Sequence, residues 1–561
     1  MASSKITDNA GAQAVDNQAG FPPQRNLFAT DPLLQGIMAT ANSAWALPWL
    51  TDFGELMGRD STLALANAAN RFVPQLHSYD GFGRRIDEVE YHPAYHQLMA
   101  MVIENGVHSV AWTAPSSGHK VHAALEYLFA QVEGGVCCPL TMTYAALPVL
   151  KKSPSLSRQW QPRLLANSYD GDYKPFFEKA GVTLGMAMTE KQGGSDLRSN
   201  ATAAKHLEGD LYALHGHKWF CSAPMSDGFL TLANAREGLS CFLVPRWRPD
   251  GERNPFYIQR LKDKLGNRSN ASAEIEYKNT WGYLLGEPGR GIATIMAMVK
   301  HTRLDTCVAP VALMRQAFVH AVHNARHRRA FGKTLIDQPL MTTVLADLGI
   351  ELKAAMALVF AIADSFDDMA EGDDEDEPFT RLAAALGKFL LNKLAPAYVC
   401  ECLELLGGNG YVEESVLPRL YREAPLNGIW EGSGNVICLD VMRSLSQFPH
   451  CLDIFMERIS PAISQYPPAA TLANALTQRL RQDKCRLVDN QAGARYIAQI
   501  MARLWQCALL ATNAESTIAD LFCRSRLENS HGGIYGAAPM APAMAAKIID
   551  GMAIDSAVAQ G

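Results

Sequence analysis

The chain has 561 residues, 48% of them hydrophobic and 19% charged, with a formal net charge of −6. That length predicts roughly three to five structural units with sizeable cores, which excludes a disordered chain and a uniformly basic nucleic-acid coat. The charge is uneven: eight acids and no base lie between Asp367 and Glu377, so removing them takes the remainder from −6 to +2.

Residues 1–30 read as a flexible N-terminal extension, polar up to Phe21, Pro22 and Pro23. Residues 31–180 follow a helical pattern, with Gly and Pro gathered between segments. Residues 181–285 change texture: short apolar runs at 211–214, 229–233, 241–244 and 274–277 alternate with Gly, Asp, Asn and Pro. Glu208, Gly209 and Asp210 give a hairpin signal, and the whole predicts a compact antiparallel sheet or barrel. Helical periodicity returns over 286–445. Leu340, Val344, Leu348, Leu352 and Val359 make an apolar stripe, the acidic run reads as a solvated loop, and a second long helix is expected over 379–406. A further helical unit, 446–561, carries Ile497, Met501, Leu504 and Ala508 on one stripe. The fold class is therefore multidomain α+β: helical, β, helical bundle, then an extra helical unit.

Twelve cysteines without a CxxC pair argue against zinc ribbons and disulfide scaffolds and fit a cytoplasmic protein with reduced thiols. There is no signal-peptide pattern and no apolar stretch long enough to span a membrane. His320, His323 and His327 share a face of a helix expected over 311–330. Arg326, Arg328 and Arg329 crowd that turn, and no carboxylate or cysteine completes a ligand set, so no metal is expected.

Five segments can carry chemistry. Met188 to Asp196 contains two adjacent glycines flanked by hydroxyl residues, a backbone that can approach a flat or anionic ligand or simply make a tight turn. Gly216 to Ser222 places an aromatic and a hydroxyl on a strand, where a half-buried strand is the plain alternative. Gly286 to Gly291 reads as a helix-entry loop. Leu406 to Tyr411 ends a helix in glycines, which can stop the helix or bare backbone to a phosphate. Ile429 to Asn435 sets Glu431 beside Trp430. In a dry pocket that carboxylate's pKa would rise and suit it to take a proton, although a lone Glu is usually exposed.

In this order the motifs resemble the acyl-CoA dehydrogenase superfamily over about 180–445. The resemblance implies FAD, held by Met188, Thr189, Gly194, Ser195, Trp219, Phe220 and Ser222 in the sheet domain. Arg328, Phe331 and Gln338, with Gly407 and Gly408, would serve a neighbouring subunit's FAD. Asn427, Ile429, Trp430, Gly432, Ser433 and Asn435 would surround the cofactor near Glu431, the implied catalytic base. Trp430 stands where tyrosine is usual in the superfamily, and its bulk would shrink the acyl pocket.

A narrower resemblance, to the alkylation-response (AidB-like) branch, rests on three stretches: Met188 to Asp196, Arg260 to Ser272, and Pro418 to Glu423. Tyr91 to His96 and Cys138 to Thr143 are also similar. It implies a homotetramer, double-stranded DNA as a partner in protection from alkylation, and weak dehydrogenation of a short or branched acyl-CoA such as isovaleryl-CoA. For DNA, Arg479, Arg481, Lys484, Arg486, Arg495 and Arg503 form the candidate phosphate-binding set in a C-terminal unit of nearly neutral charge; a solvated helix face is the bland alternative. The rival readings are an ordinary metabolic acyl-CoA dehydrogenase without DNA binding and a flavin-free helical scaffold.

Overall fold

The structure is a computed structural model that describes residues 16–372, 376–482, 491–512, 516–528, 535 and 540–552. The first described residues are packed rather than free. Leu27 and Phe28 are buried, and Arg25 donates to the Gln316 side chain at 2.7 Å. The expectation of a flexible extension therefore fails for 16–30, because its apolar residues find a core; residues 1–15 lie outside the described set. The N-terminal region is helical, as its patterning indicates, but a two-stranded hairpin, β1 (Gln75–Tyr79) and β2 (Arg85–Glu90), interrupts it. Its turn is held by Asp80, which accepts from the N–H groups of Phe82 and Arg84.

Seven strands follow: β3 (Leu184–Ala187), β4 (Ala203–Glu208), β5 (Leu211–Ser222), β6 (Gly228–Ala235), β7 (Gly238–Pro245), β8 (Phe256–Leu261) and β9 (Ser272–Leu285). Pairings β6–β7, β7–β9, β9–β5, β5–β4 and β4–β6 close into a small barrel. The hairpin expected at Glu208–Asp210 joins β4 to β5. The sheet is not wholly antiparallel: β3 runs parallel to β6, since it arrives from the helical region and leaves through the long 188–202 loop. In β5 the pairing with β9 slips between Lys218 and Cys221, a bulge that lets Trp219 and Phe220 escape strict alternation.

The helix Gly291–His327 then runs through the centre of the molecule. It begins at Gly291, where the helix-entry loop at 286–291 leads the chain into a helix near Ile292, so the histidine face expected over 311–330 lies in its second half; it ends at His327, short of the left-handed Phe331 (φ 51°). It is buried over most of its length although it carries His301, Thr302, Arg303, Asp305 and Arg315, so those groups must find internal partners. The helices Pro339–Glu371 and Asp376–Leu405 pack on it. Most of the acidic run is therefore helical rather than loop, with 373–375 outside the described residues. One cause is local: the Asp367 carboxylate accepts from His119 and Lys120 N–H at 2.8 and 3.0 Å, capping the helix Gly118–Ala130.

The C-terminal unit includes the helices Pro467–Gln482, Ala494–Thr512 and Ser516–Arg526. Buried ion pairs join it to the bundle: Arg503 and Arg526 both hold Glu351, and Arg526 also reaches Asp347 at 2.7 Å. Among the described residues, no helix is long and apolar enough to cross a membrane.

Candidate active site

The segment 188–196 and the bulged end of β5 lie side by side. Trp219 N–H donates to the Thr189 carbonyl at 2.8 Å, and the Asn200 amide donates to the Met188 carbonyl at 3.0 Å. What fixes this loop is a fully buried ion pair. Lys218 Nζ lies 2.8 Å from Glu190 and donates to the Leu232 carbonyl, while Glu190 accepts from Ala201 and Thr202 N–H. Burial alone would raise the Glu190 carboxyl, but Lys218 and these hydrogen bonds bring it down to about 2, so it is ionised at neutral pH. Gly194 must stay bare, because a Cβ there would sit 2.3 Å from Thr189 Oγ1. The outcome is a half-exposed Trp219 and an exposed Phe220, with the hydroxyls of Thr189, Ser195 and Ser222 on the same two segments.

Glu431 sits in a tight turn before the helix Gly434–Gln447, with φ 57° followed by Gly432 at φ 100°. A non-glycine residue in the left-handed region is strained and persists only where its surroundings hold it. Here they do. Lys388 Nζ donates to the Asn427 and Gly432 carbonyls at 3.0 and 2.9 Å, Arg303 Nε donates to the Glu431 carbonyl at 3.4 Å, and Asp440 fixes Arg303 at 2.6 Å. Thr302 Oγ1 donates to Glu431 Oε2 at 2.7 Å. The carboxyl's pKa is raised, chiefly by desolvation, against the smaller opposing pull of Thr302, Lys388 and Arg303. Burial likewise lowers Lys388 to about 8. Trp430 is pinned by its Nε1–H to Asn427 Oδ1 at 2.9 Å and packs, with Met188, on the apolar cluster containing Met142 and Met298.

The two groups share one apolar cluster, on which Met188 of the first and Trp430 of the second both pack and to which the buried Cys138 belongs; burial pushes that thiol up to about 12. Met188, Thr189, Gly194, Ser195, Trp219, Phe220 and Ser222 thus belong to the first group and Asn427, Trp430, Glu431, Gly432 and Ser433 to the second, joined where Met188 and Trp430 pack on the same apolar cluster. Ile429 and Asn435 point outward. Arg328, Phe331, Gln338, Gly407 and Gly408 form a separate surface group, with Phe331 97% exposed and Gln338 donating to the Ala330 carbonyl of its own hairpin. Sequence reasoning missed Thr302, Arg303, Lys388 and the Glu190–Lys218 pair. The signal available was a cluster of polar residues inside otherwise apolar helical and strand runs.

The candidate DNA residues do not form one surface. Arg503 is a correction: it is buried and bonded to Glu351 and Gln506, so its guanidinium cannot reach a phosphate. Arg481 is exposed but paired with Asp453 at 2.8 Å, and Arg479 and Arg495 are exposed. Lys484 and Arg486 lie outside the described residues.

Comparison with known proteins agrees with this architecture. Residues 17–171 match the adaptive response protein AidB N-terminal domain, 185–280 the acyl-CoA dehydrogenase middle domain, and 289–446 the acyl-CoA dehydrogenase C-terminal domain. The acyl-CoA dehydrogenase-type protein AidB of Escherichia coli is 41% identical over 523 residues, 91% of this chain and 96% of that protein. The crystal structure of Caenorhabditis elegans ACDH-11 in complex with C11-CoA superposes with a TM-score of 0.83 at 26% identity, covering all of both chains. The fold is shared with a Bacillus anthracis acyl-CoA dehydrogenase complexed with FAD, at a TM-score of 0.66, 18% identity and coverage of 82% and 86% of the two chains. The chain belongs to the AidB-like branch of the acyl-CoA dehydrogenase family, a family of FAD-dependent oxidoreductases.

Proposed function

We propose that this protein oxidises a short or branched acyl-CoA, with Glu431 as the base and FAD as the cofactor, within a homotetramer. The observation that carries this reading is the Glu431 carboxylate itself, raised by burial, oriented by Thr302 and set on a left-handed turn. Glu431 takes the proton α to the thioester carbonyl, and the freed electron pair forms the α,β double bond as the β-hydrogen leaves with its own pair. FAD, when bound, supplies the acceptor for that hydride. Charge developing on the thioester oxygen needs a donor already in place. The Glu431 N–H is suited to this, since it has no protein acceptor among the described residues.

The residues present fit FAD. Thr189, Ser195 and Ser222 offer hydroxyls to a ring edge, and Trp219 offers a flat half-exposed wall. Gly407 and Gly408 face open space with no side chain, which suits a diphosphate. The pinned Trp430 supports a short acyl chain over a long one. The outward aromatic and aliphatic groups of Phe331, Leu340, Tyr411 and Ile429 support burial against another copy, where Arg328, Gln338 and the glycines would serve the neighbour's cofactor. All eleven cysteines among the described residues are free thiols, as a reducing cytoplasm would leave them. Purified protein should be yellow, and anaerobic isovaleryl-CoA should bleach it. No bleaching by any member of a short, branched and long acyl-CoA panel would refute the dehydrogenase reading.

A second role, binding duplex DNA and protecting it from alkylation, is favoured by the exposed guanidinium groups of Arg479, Arg481 and Arg495 and by kinship with AidB. Contacts of this kind would be to phosphates and would weaken steeply with salt. A gel-shift series down to low salt checks it, and the absence of a shift at the lowest salt removes it.

A further inference from the structure

We infer that residues Asn17 to Ala19 form a strap that positions the two elements offered to the neighbouring subunit's FAD, and that this strap governs how tightly the cofactor is held. The inference rests on the tetrameric FAD reading above. Those two elements need holding. One is a hairpin of two-residue strands, β10 (Arg329–Ala330) and β11 (Lys333–Thr334), whose turn carries Phe331 at φ 51° and Gly332 at φ 79°. The other is the glycine loop at 407–411, entered through Gly407 at φ 62°. Neither is long enough to be stable by its own pairing.

Asn17 treats the outer edge of β10 as an additional strand would. Its side-chain amide donates to the Arg329 carbonyl at 2.8 Å and accepts from the Arg329 N–H at 2.7 Å. Those are groups that an edge strand otherwise leaves unpaired. The Asn17 carbonyl also accepts from Arg328 Nη1 at 3.3 Å. One residue on, the Gln18 side-chain oxygen accepts from Asn409 in the glycine loop at 2.8 Å. One further, the Ala19 carbonyl lies 3.2 Å from His323 Nε2, on the central helix. Three successive residues therefore tie the hairpin, the glycine loop and the rigid helix together, although these lie about 300 to 390 positions away along the chain. Asn17 itself sits at φ 56°, a conformation that asparagine tolerates better than most side chains.

The experiment is Asn17→Ala in the full chain, stripped of flavin and titrated with FAD by fluorescence quenching. Loss of two exposed hydrogen bonds should raise the FAD dissociation constant about tenfold, while the apoprotein's thermal midpoint stays at the wild-type value. Asn17→Asp, which keeps the acceptor and loses the donor, should fall between. An affinity within about twofold of wild type, or a loss matched by a lower apoprotein midpoint, overturns the strap. If wild-type protein itself takes up no FAD, the cofactor reading fails first and takes the strap with it; if wild type binds and Asn17→Ala binds equally, the strap alone fails.

Discussion

Two desolvated carboxylates of this molecule, the half-buried Glu431 and the fully buried Glu351, have opposite fates. Glu351 is desolvated, yet Arg503 and Arg526 touch it directly and hold it down to about 2. Glu431 also has an arginine and a lysine close by, but Arg303 bonds to its carbonyl and Lys388 to the neighbouring Gly432 carbonyl, while among the described residues the Thr302 hydroxyl is what hydrogen-bonds its carboxylate. Burial therefore prevails and its pKa is raised. Two carboxylates become a rivet and a base according to whether the nearby cation bonds to the carboxylate or to the peptide beside it.

That contrast can be broken at several points. Glu431→Gln keeps shape and removes the base, so acyl-CoA-dependent flavin reduction should fall by about 10²- to 10⁴-fold with circular dichroism unchanged; stopped-flow absorbance reads it. Arg503→Ala leaves Glu351 with one partner fewer in the interior and should cost about 3–5 kcal/mol in urea unfolding, with flavin reduction per folded molecule intact. The sign with pH follows: because the folded-state pKa of Glu351 is depressed, its stabilisation is full above its ordinary value near 4.5 and is lost as pH falls toward about 2. In Arg503→Ala that acid-sensitive contribution should shrink.

Thr302→Val sharpens the other side. The hydroxyl lowers the Glu431 pKa, so removing it raises that pKa further, and the base is deprotonated only at higher pH. The acid limb of the flavin-reduction profile should move to higher pH. The smallest effect belongs to Arg481→Ala. Its pairing with Asp453 is solvent-exposed on both sides, so urea unfolding should change by less than about 1 kcal/mol. A loss comparable to Arg503→Ala would mean that exposure does not separate these two arginines.

The same pair of arginines shows what the sequence could convey. Both lie on helices of mixed character, and spacing gives no sign that one points to solvent and the other inward. Arg503 is buried because its helix is covered on nearly all sides between 500 and 508, a property of the neighbouring helices rather than of the stripe through Ile497, Met501 and Leu504. The loops were easier to read. Paired glycines at Gly193-Gly194 and Gly407-Gly408, and the Trp430-Glu431-Gly432 run, answer local backbone needs and so leave local traces. Thr302 and Lys388 act at a distance from the chain position they serve, Thr302 129 residues before Glu431, and nothing in a helical register announces such a meeting. The β1–β2 hairpin was missed because it is short and embedded in a helical pattern. The barrel was visible from its turn residues, while the parallel β3 depends on how the chain enters the domain.

The left-handed backbone at Glu431 carries one more consequence. Glycine would adopt that conformation at ease, and would also remove a carboxylate that burial makes costly to ionise. A Glu431→Gly protein should thus be the sturdier molecule and chemically inert. At this single position, durability and reactivity pull in opposite directions, and a screen that rewarded heat resistance alone would discard the base early.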